Sequence, residues 1–365
     1  MKRMTFMAAA FLAGATFLTP FAASAASATN VPTLLPASLL TPNSTTMVPA
    51  GKFKKDKPWV IGVSWPGMGN TWIVQAIQNM KYTVGQDPDI ATYRFLESGW
   101  QPAKQVSDIE DLMADKVNAL IIFPISPELV KAQVAAAAAS GIPVVVLATD
   151  GTKVPNATVT IYAGGYAFGH VGGEFLKQQL HGKGVIWAFR GEPGSTEDQE
   201  RYDGMLAALK GTDIKVSTVV YGAWDYAKSK GLCENLVASG RPVDGIWFSG
   251  AEMTHACVDV FKELGKPLVP MTGEGNNGFL GIWKKDHLNS VGAVFTPDLG
   301  VATINAAVDL LKGESLYTSY VSDPPPITSA NIDQYYKPDL NDNYWVPSTL
   351  PMSVIKKEFG TSQGN

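Results

Sequence analysis

The chain reads as an α/β protein made of two doubly wound units, each built on a parallel sheet. Three observations predict this class. Short, nearly continuous apolar runs, such as Trp59-Val60-Ile61-Gly62-Val63-Ser64, suit strands buried on both faces. They alternate with segments whose apolar residues fall at helical spacing, as Trp72, Ile73, Ala76, Ile77, Met80 and Val84 do. The alternation runs in two successive series, which implies βαβ units with helices on both faces of a parallel sheet. At 365 residues, two domains are also the default expectation.

The elements follow in order. Met1-Lys2-Arg3 is a short basic start, and residues 4–19 carry no charge. Ala23-Ser24-Ala25 then supplies the small residues of a cleavage site, so residues 1–25 read as a secretory signal peptide. Its apolar core is short for a membrane span of about 20 residues. No cysteine precedes Cys233, so the export signal is not of the lipoprotein type and no lipid anchor is expected. Residues 26–57, with Pro32, Pro36, Pro42 and Pro49 among Ser, Thr and Ala, show no period and read as an extended linker.

The first series places a strand at 59–64, a turn at 66–70 and a helix from Trp72. Strand 91–96, helix 103–114, strand 119–123, helix 127–139 and strand 144–147 continue it. Ile161-Tyr162-Ala163-Gly164-Gly165 is a natural crossover. The second series runs helix 166–181, strand 185–189, helix 198–209, strand 216–220, helix 226–238 and strand 245–248. Helix 252–264, strand 268–272, helix 276–285 and strand 291–295 complete it. Helix 298–312 and the Pro324-Pro325-Pro326 segment have no partner in the second unit, and a return to the first is expected.

Composition removes several functions. With 29 basic and 33 acidic residues the net charge is −4, and loss of Lys2 and Arg3 with the signal leaves 27 against 33, or −6. That balance opposes general nucleic-acid binding. Two cysteines exclude a disulfide scaffold or an iron–sulfur centre. Cys233 and Cys257 lie on successive helices, and both a bridge between them and a free pair stay open. Four dispersed histidines without ligand spacing give no metal site. There is no phosphate-binding loop, zinc-protease motif or nucleophile elbow. Gly67-Met68-Gly69 follows the first strand, but Trp72 stands where a dinucleotide fingerprint needs its third glycine. No cofactor is expected.

The informative residues lie just past the C-terminal ends of strands, where open α/β sheets bind their ligands. They are Ser64, Trp65, Asn70 and Trp72 after the first strand, and Asp150 after strand 144–147. Glu197 and Arg201 follow strand 185–189, and Trp224 follows strand 216–220. Ala251 and Glu252 follow strand 245–248, Glu274 follows strand 268–272, and Phe295 ends the last strand. Aromatic faces pack against the C–H faces of a sugar, while carboxylates and a guanidinium bind its hydroxyls. A whole rim of such residues points to a cleft that engulfs a polar small molecule.

Several stretches also carry a family resemblance. Gln101-Pro102-Ala103-Lys104-Gln105 is followed by Asp108-Ile109-Glu110-Asp111-Leu112 and Ala119-Leu120-Ile121-Ile122-Phe123-Pro124. Gly194-Ser195-Thr196, Glu200-Arg201-Tyr202-Asp203-Gly204, Trp224-Asp225, Glu252-Met253 and Thr296-Pro297-Asp298-Leu299-Gly300 come after them in order. The chain thus resembles the type I periplasmic solute-binding proteins, in the ribose/galactose-type branch serving ABC sugar importers, from about residue 59 to 312. The resemblance implies that Asn70, Trp72, Arg201, Trp224 and Glu274 stand at ligand positions, with Ile73 replacing a second aromatic. Ala148-Thr149-Asp150 replaces the family's Asp-Arg pair, Gly250 or Ala251 an asparagine, and Phe295 a glutamine. The pocket then lacks one cation and two amides and gains aromatic bulk, which favours a larger or differently substituted sugar or polyol over ribose.

The same resemblance implies two lobes joined by a three-segment hinge. The N-terminal lobe is expected over 58–163 plus 297–323, and the C-terminal lobe and tail over 164–296 plus 324–365. The expected protein is a periplasmic monomer and not an enzyme. It captures its solute by hinge closure and delivers it to a membrane permease with its ATPase. Two alternatives remain: an amine or other cation held in an aromatic–acidic box, and presentation of the liganded protein to a chemoreceptor. The tail segments Tyr335-Tyr336-Lys337-Pro338-Asp339 and Asn343-Tyr344-Trp345-Val346-Pro347 are expected to pack on a lobe, with a role at the cleft mouth as the alternative.

Overall fold

Two sheets organise the chain, which the computed structural model describes at residue 1 and over residues 31–361. The signal peptide expected at 1–25 therefore falls, after its first residue, outside the described residues. The first series comprises β1 (Thr41–Pro42), β2 (Trp59–Trp65), α1 (Thr71–Gln86), β3 (Ile90–Glu97), α2 (Pro102–Ala114), β4 (Ala119–Ile122), α3 (Pro127–Ala139), β5 (Val144–Ala148) and β6 (Val159–Ala163). The second comprises α4 (Tyr166–Gln179), β7 (Lys183–Arg190), α5 (Thr196–Leu209), β8 (Asp213–Tyr221), α6 (Tyr226–Ala238), β9 (Gly245–Phe248), α7 (Ala251–Glu263), β10 (Met271–Glu274), α8 (Asn277–Asp286) and β11 (Ser290–Ala293). Then come α9 (Leu299–Lys312), β12 (Ser319–Ser322), α10 (Ile332–Tyr335) and α11 (Met352–Phe359).

The first sheet has the order β1-β12-β6-β5-β4-β2-β3 and the second β11-β10-β9-β7-β8. Every pairing is parallel except β1 with β12. Strand order reverses between β4 and β2 in one sheet and between β9 and β7 in the other. These switch points are where such sheets open a crevice beyond their strand ends. The central strands β4, β5 and β9 are buried along their whole length, which is why they read as unbroken apolar runs.

Three segments pass between the sheets. β6 leaves the first sheet and leads into α4, which packs on the second. β11 leaves the second and leads into α9, which packs on α1, β4 and β5 of the first. Beyond β12, Ile327 pairs with Gly292 of the second sheet. At the first crossing Gly164 adopts φ +70°, and a side chain there would collide with the Phe295 ring of the second crossing.

Cys233 of α6 and Cys257 of α7 form a disulfide, with Cα atoms 5.5 Å apart. Trp187 and Trp247 are core residues of the second lobe. The strand read at 268–272 forms instead at 271–274, because Pro270 has no N–H to give to the ladder.

Two larger expectations are corrected. The stretch taken as a linker does not hang free from residue 31 onward. Leu34, Leu35, Leu39, Leu40 and Val48 are buried, β1 pairs with β12, and the Asn305 amide holds the Leu34 carbonyl. Prolines removed any period, but the leucines between them had apolar surface to bury. The tail, assigned to the C-terminal lobe, lies against both lobes. The Asn277 side chain of the second lobe donates to Lys337 O and Leu340 O, whereas Gln75 of the first exchanges two hydrogen bonds with the Trp345 backbone.

Candidate functional site

The strand ends of the two sheets face each other across a narrow cavity of about 40 Å³. That is well below the ~300–1,000 Å³ range of small-molecule sites, so the lobes as they stand leave little free space between them. The first lobe lines it with Asn70, Trp72, Ile73, Trp100 and Phe123. The second contributes Glu197, Arg201, Trp224, Gly250, Ala251, Glu252 and Glu274. Phe295 of the hinge and Trp345 of the tail complete the wall.

On the first lobe, helix α1 begins at the switch point. Asn70 caps it, its Oδ1 accepting the Ile73 N–H at 2.9 Å, which leaves the side-chain amide for the cavity. Trp72 stacks on Phe295 with rings 4.5 Å apart and nearly parallel, and its Nε1 donates to the Phe295 carbonyl at 2.7 Å. These two rings therefore make one wall together rather than two facing plates. Trp100, after β3, lies flat over Gly67, where any Cβ would strike the indole.

On the second lobe, Trp224 rests against Gly191 and Gly250, and a Cβ on either would meet its ring. Ala223 and Trp224 both hold positive φ, 55° and 54°, backbone strain of the kind kept at functional sites. Trp224 Nε1 donates to Ser249 O at 2.9 Å. Arg201 is buried and held on three sides: its Nε donates to Gly164 O at 2.6 Å, Nη1 to Ser249 O, and Nη2 to Glu197. Its guanidinium also stacks 3.7 Å over Phe168.

The carboxyls differ in state. Burial pushes Glu274 up to about 8, with Arg201 opposing the rise and Glu197 and Glu252 adding to it. At neutral pH it is mainly protonated and offers an O–H to the cavity. Burial also raises Glu197 and Glu252, opposed by Arg201 in the first case and by hydrogen bonds from Thr71 in the second. Glu252 Oε1 accepts both the Thr71 N–H, at 3.1 Å, and its hydroxyl.

That Thr71–Glu252 contact joins the two lobes, and others do the same. Thr196 N–H donates to Ile125 O at 2.9 Å, and Glu200 accepts from Gly151 N–H at 2.9 Å and from the Thr152 hydroxyl. Trp100 and Trp224 meet at the rim, ring centroids 5.7 Å apart. The conformation is closed.

Of the residues expected at the site, Asn70, Trp72, Glu197, Arg201, Trp224, Ala251, Glu252, Glu274 and Phe295 meet at the cavity. Three do not. Ser64 and Trp65 are wholly buried, and Trp65 packs edge-to-face on Phe123 at 5.1 Å, backing the wall rather than lining it. Asp150 is turned to the hinge, where its carboxylate accepts the Gly165 and Ala167 N–H groups, each at 2.8 Å, at the start of α4. Gly250, weighed with Ala251 at one ligand position, lines the cavity beside it, whereas Trp100 and Phe123 were missed although the strand-end rule reaches them. Trp345 lies outside the alternation, in a tail segment whose aromatic, turn-rich composition marks it but does not tell packing on a lobe from lining the cavity.

Two hinged α/β lobes that enclose a small cavity of indoles, carboxyls and one guanidinium define a binding protein for a small polar solute. A family model for the periplasmic binding protein domain matches residues 61–315, and the chain belongs to that family. It is similar to the ribose import binding protein of Bacillus subtilis, 27% identical over 219 residues covering 59% of this chain and 70% of that one. It is equally similar to the xylitol-binding protein of Mycolicibacterium smegmatis, 27% identical over 233 residues covering 63% and 66%. Among solved structures, an ABC transporter solute-binding protein from Thermobispora bispora superposes with a TM-score of 0.73 at 23% identity, over 82% of this chain and 94% of that one. One from Bacillus halodurans with bound myo-inositol gives 0.68 at 22%, over 77% and 98%.

Proposed function

We propose that the chain is the substrate-binding component of an ABC importer for a small neutral sugar or polyol. The N-terminal lobe is taken as 58–163 plus 297–323 and the C-terminal lobe as 164–296, with the tail a strap on both. The solute enters the open cleft, and closure buries it through contacts made to both lobes at once. The closed protein then docks on a membrane permease in the periplasm, and no bond is made or broken. The observation that carries this reading is the bonding state of the cavity's polar groups. Glu197 is neutralised by Arg201, burial keeps Glu274 largely protonated, and Glu252 is anchored by Thr71. Each retains capacity toward the cavity, among indole faces suited to C–H surfaces. That set can both donate to and accept from hydroxyl groups without holding a strong field.

The count of three carboxyls against one guanidinium favours a second reading, an amine or other cation in an aromatic–acidic box. It is the weaker one, because Arg201 neutralises Glu197, Glu274 is largely protonated, and burial opposes the charged form of Glu252 as well. Calorimetric titration at neutral pH against pentoses, hexoses, polyols and primary to quaternary amines separates the two. Heat is expected from sugars or polyols, whereas heat from amines alone overturns the proposal.

A further inference from the structure

The tail does more than cover a lobe. Trp345 is 3% exposed and lines the cavity from a segment beyond the family's matched residues. Its backbone is clamped on the first lobe, where Gln75 Nε2 donates to Trp345 O at 3.0 Å and Trp345 N–H donates to Gln75 Oε1 at 2.7 Å. Gln75 is itself fully buried on α1. On either side the strap is tied to the second lobe, with Asn277 N–H donating to Tyr344 O and Val346 N–H to Gly275 O, each at 2.8 Å. Further along, Ser348 and Thr349 donate to Asp298, the residue that begins α9, which also accepts from Asn79. A backbone held from so many directions fixes the point from which the indole enters the cavity.

The Trp345 indole uses that position in two ways. Its ring forms part of the wall. Its Nε1–H donates to Thr71 Oγ1 at 2.7 Å, and the Thr71 hydroxyl donates in turn to Glu252 Oε1. The chain of bonds runs from the tail, through the start of α1, to a carboxylate of the opposite lobe. Bonds in such a chain polarise one another, and each fixes the orientation of the next.

We propose that Trp345 is a specificity-determining residue of the solute cavity: its ring limits the size of the solute, and its N–H, through Thr71, orients Glu252. This rests on the reading of the cavity as a sugar or polyol site. Structurally, it makes the strap a third contributor to recognition beside the two lobes.

The test compares Trp345→Ala, Trp345→Phe and Thr71→Val in the full chain, with circular dichroism and melting curves to show that each folds. Binding is titrated against pentoses, hexoses, polyols, disaccharides and amines. Trp345→Ala is expected to weaken the preferred monosaccharide or polyol by tenfold or more and to gain affinity for larger solutes. Trp345→Phe keeps the wall and loses the N–H. It should weaken binding less, keep the size preference, and be non-additive with Thr71→Val. Without any solute, amide exchange at residues 71–75 should quicken in Trp345→Phe. Wild-type selectivity within twofold in Trp345→Ala, together with unchanged exchange, overturns the proposal. A wild type that binds only amines, or nothing in the panel, overturns the sugar reading instead, and the exchange comparison then decides the role of Trp345 by itself.

Discussion

The two jaws of the cavity are chemically unlike. The first lobe brings Trp72, Ile73, Trp100 and Phe123, with Asn70 as its one polar side chain. The second brings Glu197, Arg201, Glu252 and Glu274, with Trp224 as its one aromatic. The difference follows from what stands behind each wall. Behind Phe123 lies the buried Trp65, so the first jaw is an outcrop of an apolar core. Behind Arg201 lie carbonyl oxygens of Gly164 and Ser249, which give a buried guanidinium its partners. One jaw offers surface to stack on and the other directional bonds. A solute satisfied by either jaw alone gains little from closure, whereas one with both an apolar face and hydroxyl edges gains from it.

The largest expected effect breaks the charged jaw. Arg201→Ala leaves Glu197 buried without its partner, at a cost of about 3–5 kcal/mol of stability, and solute binding is lost. Urea denaturation with calorimetry checks this, and a stable variant that still binds would mean that the second jaw is not organised around the ion pair.

The next effect is a pH dependence that Glu274 brings to the second jaw. Glu274 rises from its ordinary 4.5 to about 8 in the folded protein, so the folded state holds a proton that the unfolded state releases between those values. Stability must therefore fall as pH rises from about 4.5 to 8, other groups being equal. Melting temperatures of wild type and Glu274→Gln across that range should diverge, with the variant flatter. Parallel curves would deny the burial effect.

The smallest expected effect belongs to the apolar jaw. Trp100 lies at the rim against Trp224, and an aromatic pair is worth about 0.5–1.5 kcal/mol beyond its buried area. Trp100→Ala should therefore weaken binding by up to about tenfold while leaving the melting temperature within a few degrees. A larger loss of stability than of affinity would make Trp100 part of the core rather than part of the jaw.

The two jaws were not equally legible. Buried parallel strands announce themselves as apolar runs, so the alternation and the strand ends could be read directly, and the charged residues past those ends, Glu197, Arg201, Glu252 and Glu274, led to the second jaw. The apolar jaw is harder, because an aromatic residue at a strand end looks the same whether it faces the core or the cleft. Trp65 and Phe123 are such a case, the first in the core and the second in the wall. Asp150 carried the right chemistry but spends it on the amides that start α4. The two terminal segments were illegible for a different reason. Their prolines hide any period, and only tertiary contact separates Leu34 and Leu35, which seal the core, from Trp345, which reaches the cavity.

The meeting of Trp100 and Trp224 at the rim has an optical consequence. The two indoles belong to different lobes, and their rings lie 5.7 Å apart in the closed conformation. Transition dipoles that near each other couple, and any opening that parts the two rings would weaken the coupling steeply. The protein thus carries its own spectroscopic gauge of closure, written in the near-ultraviolet and needing no attached dye.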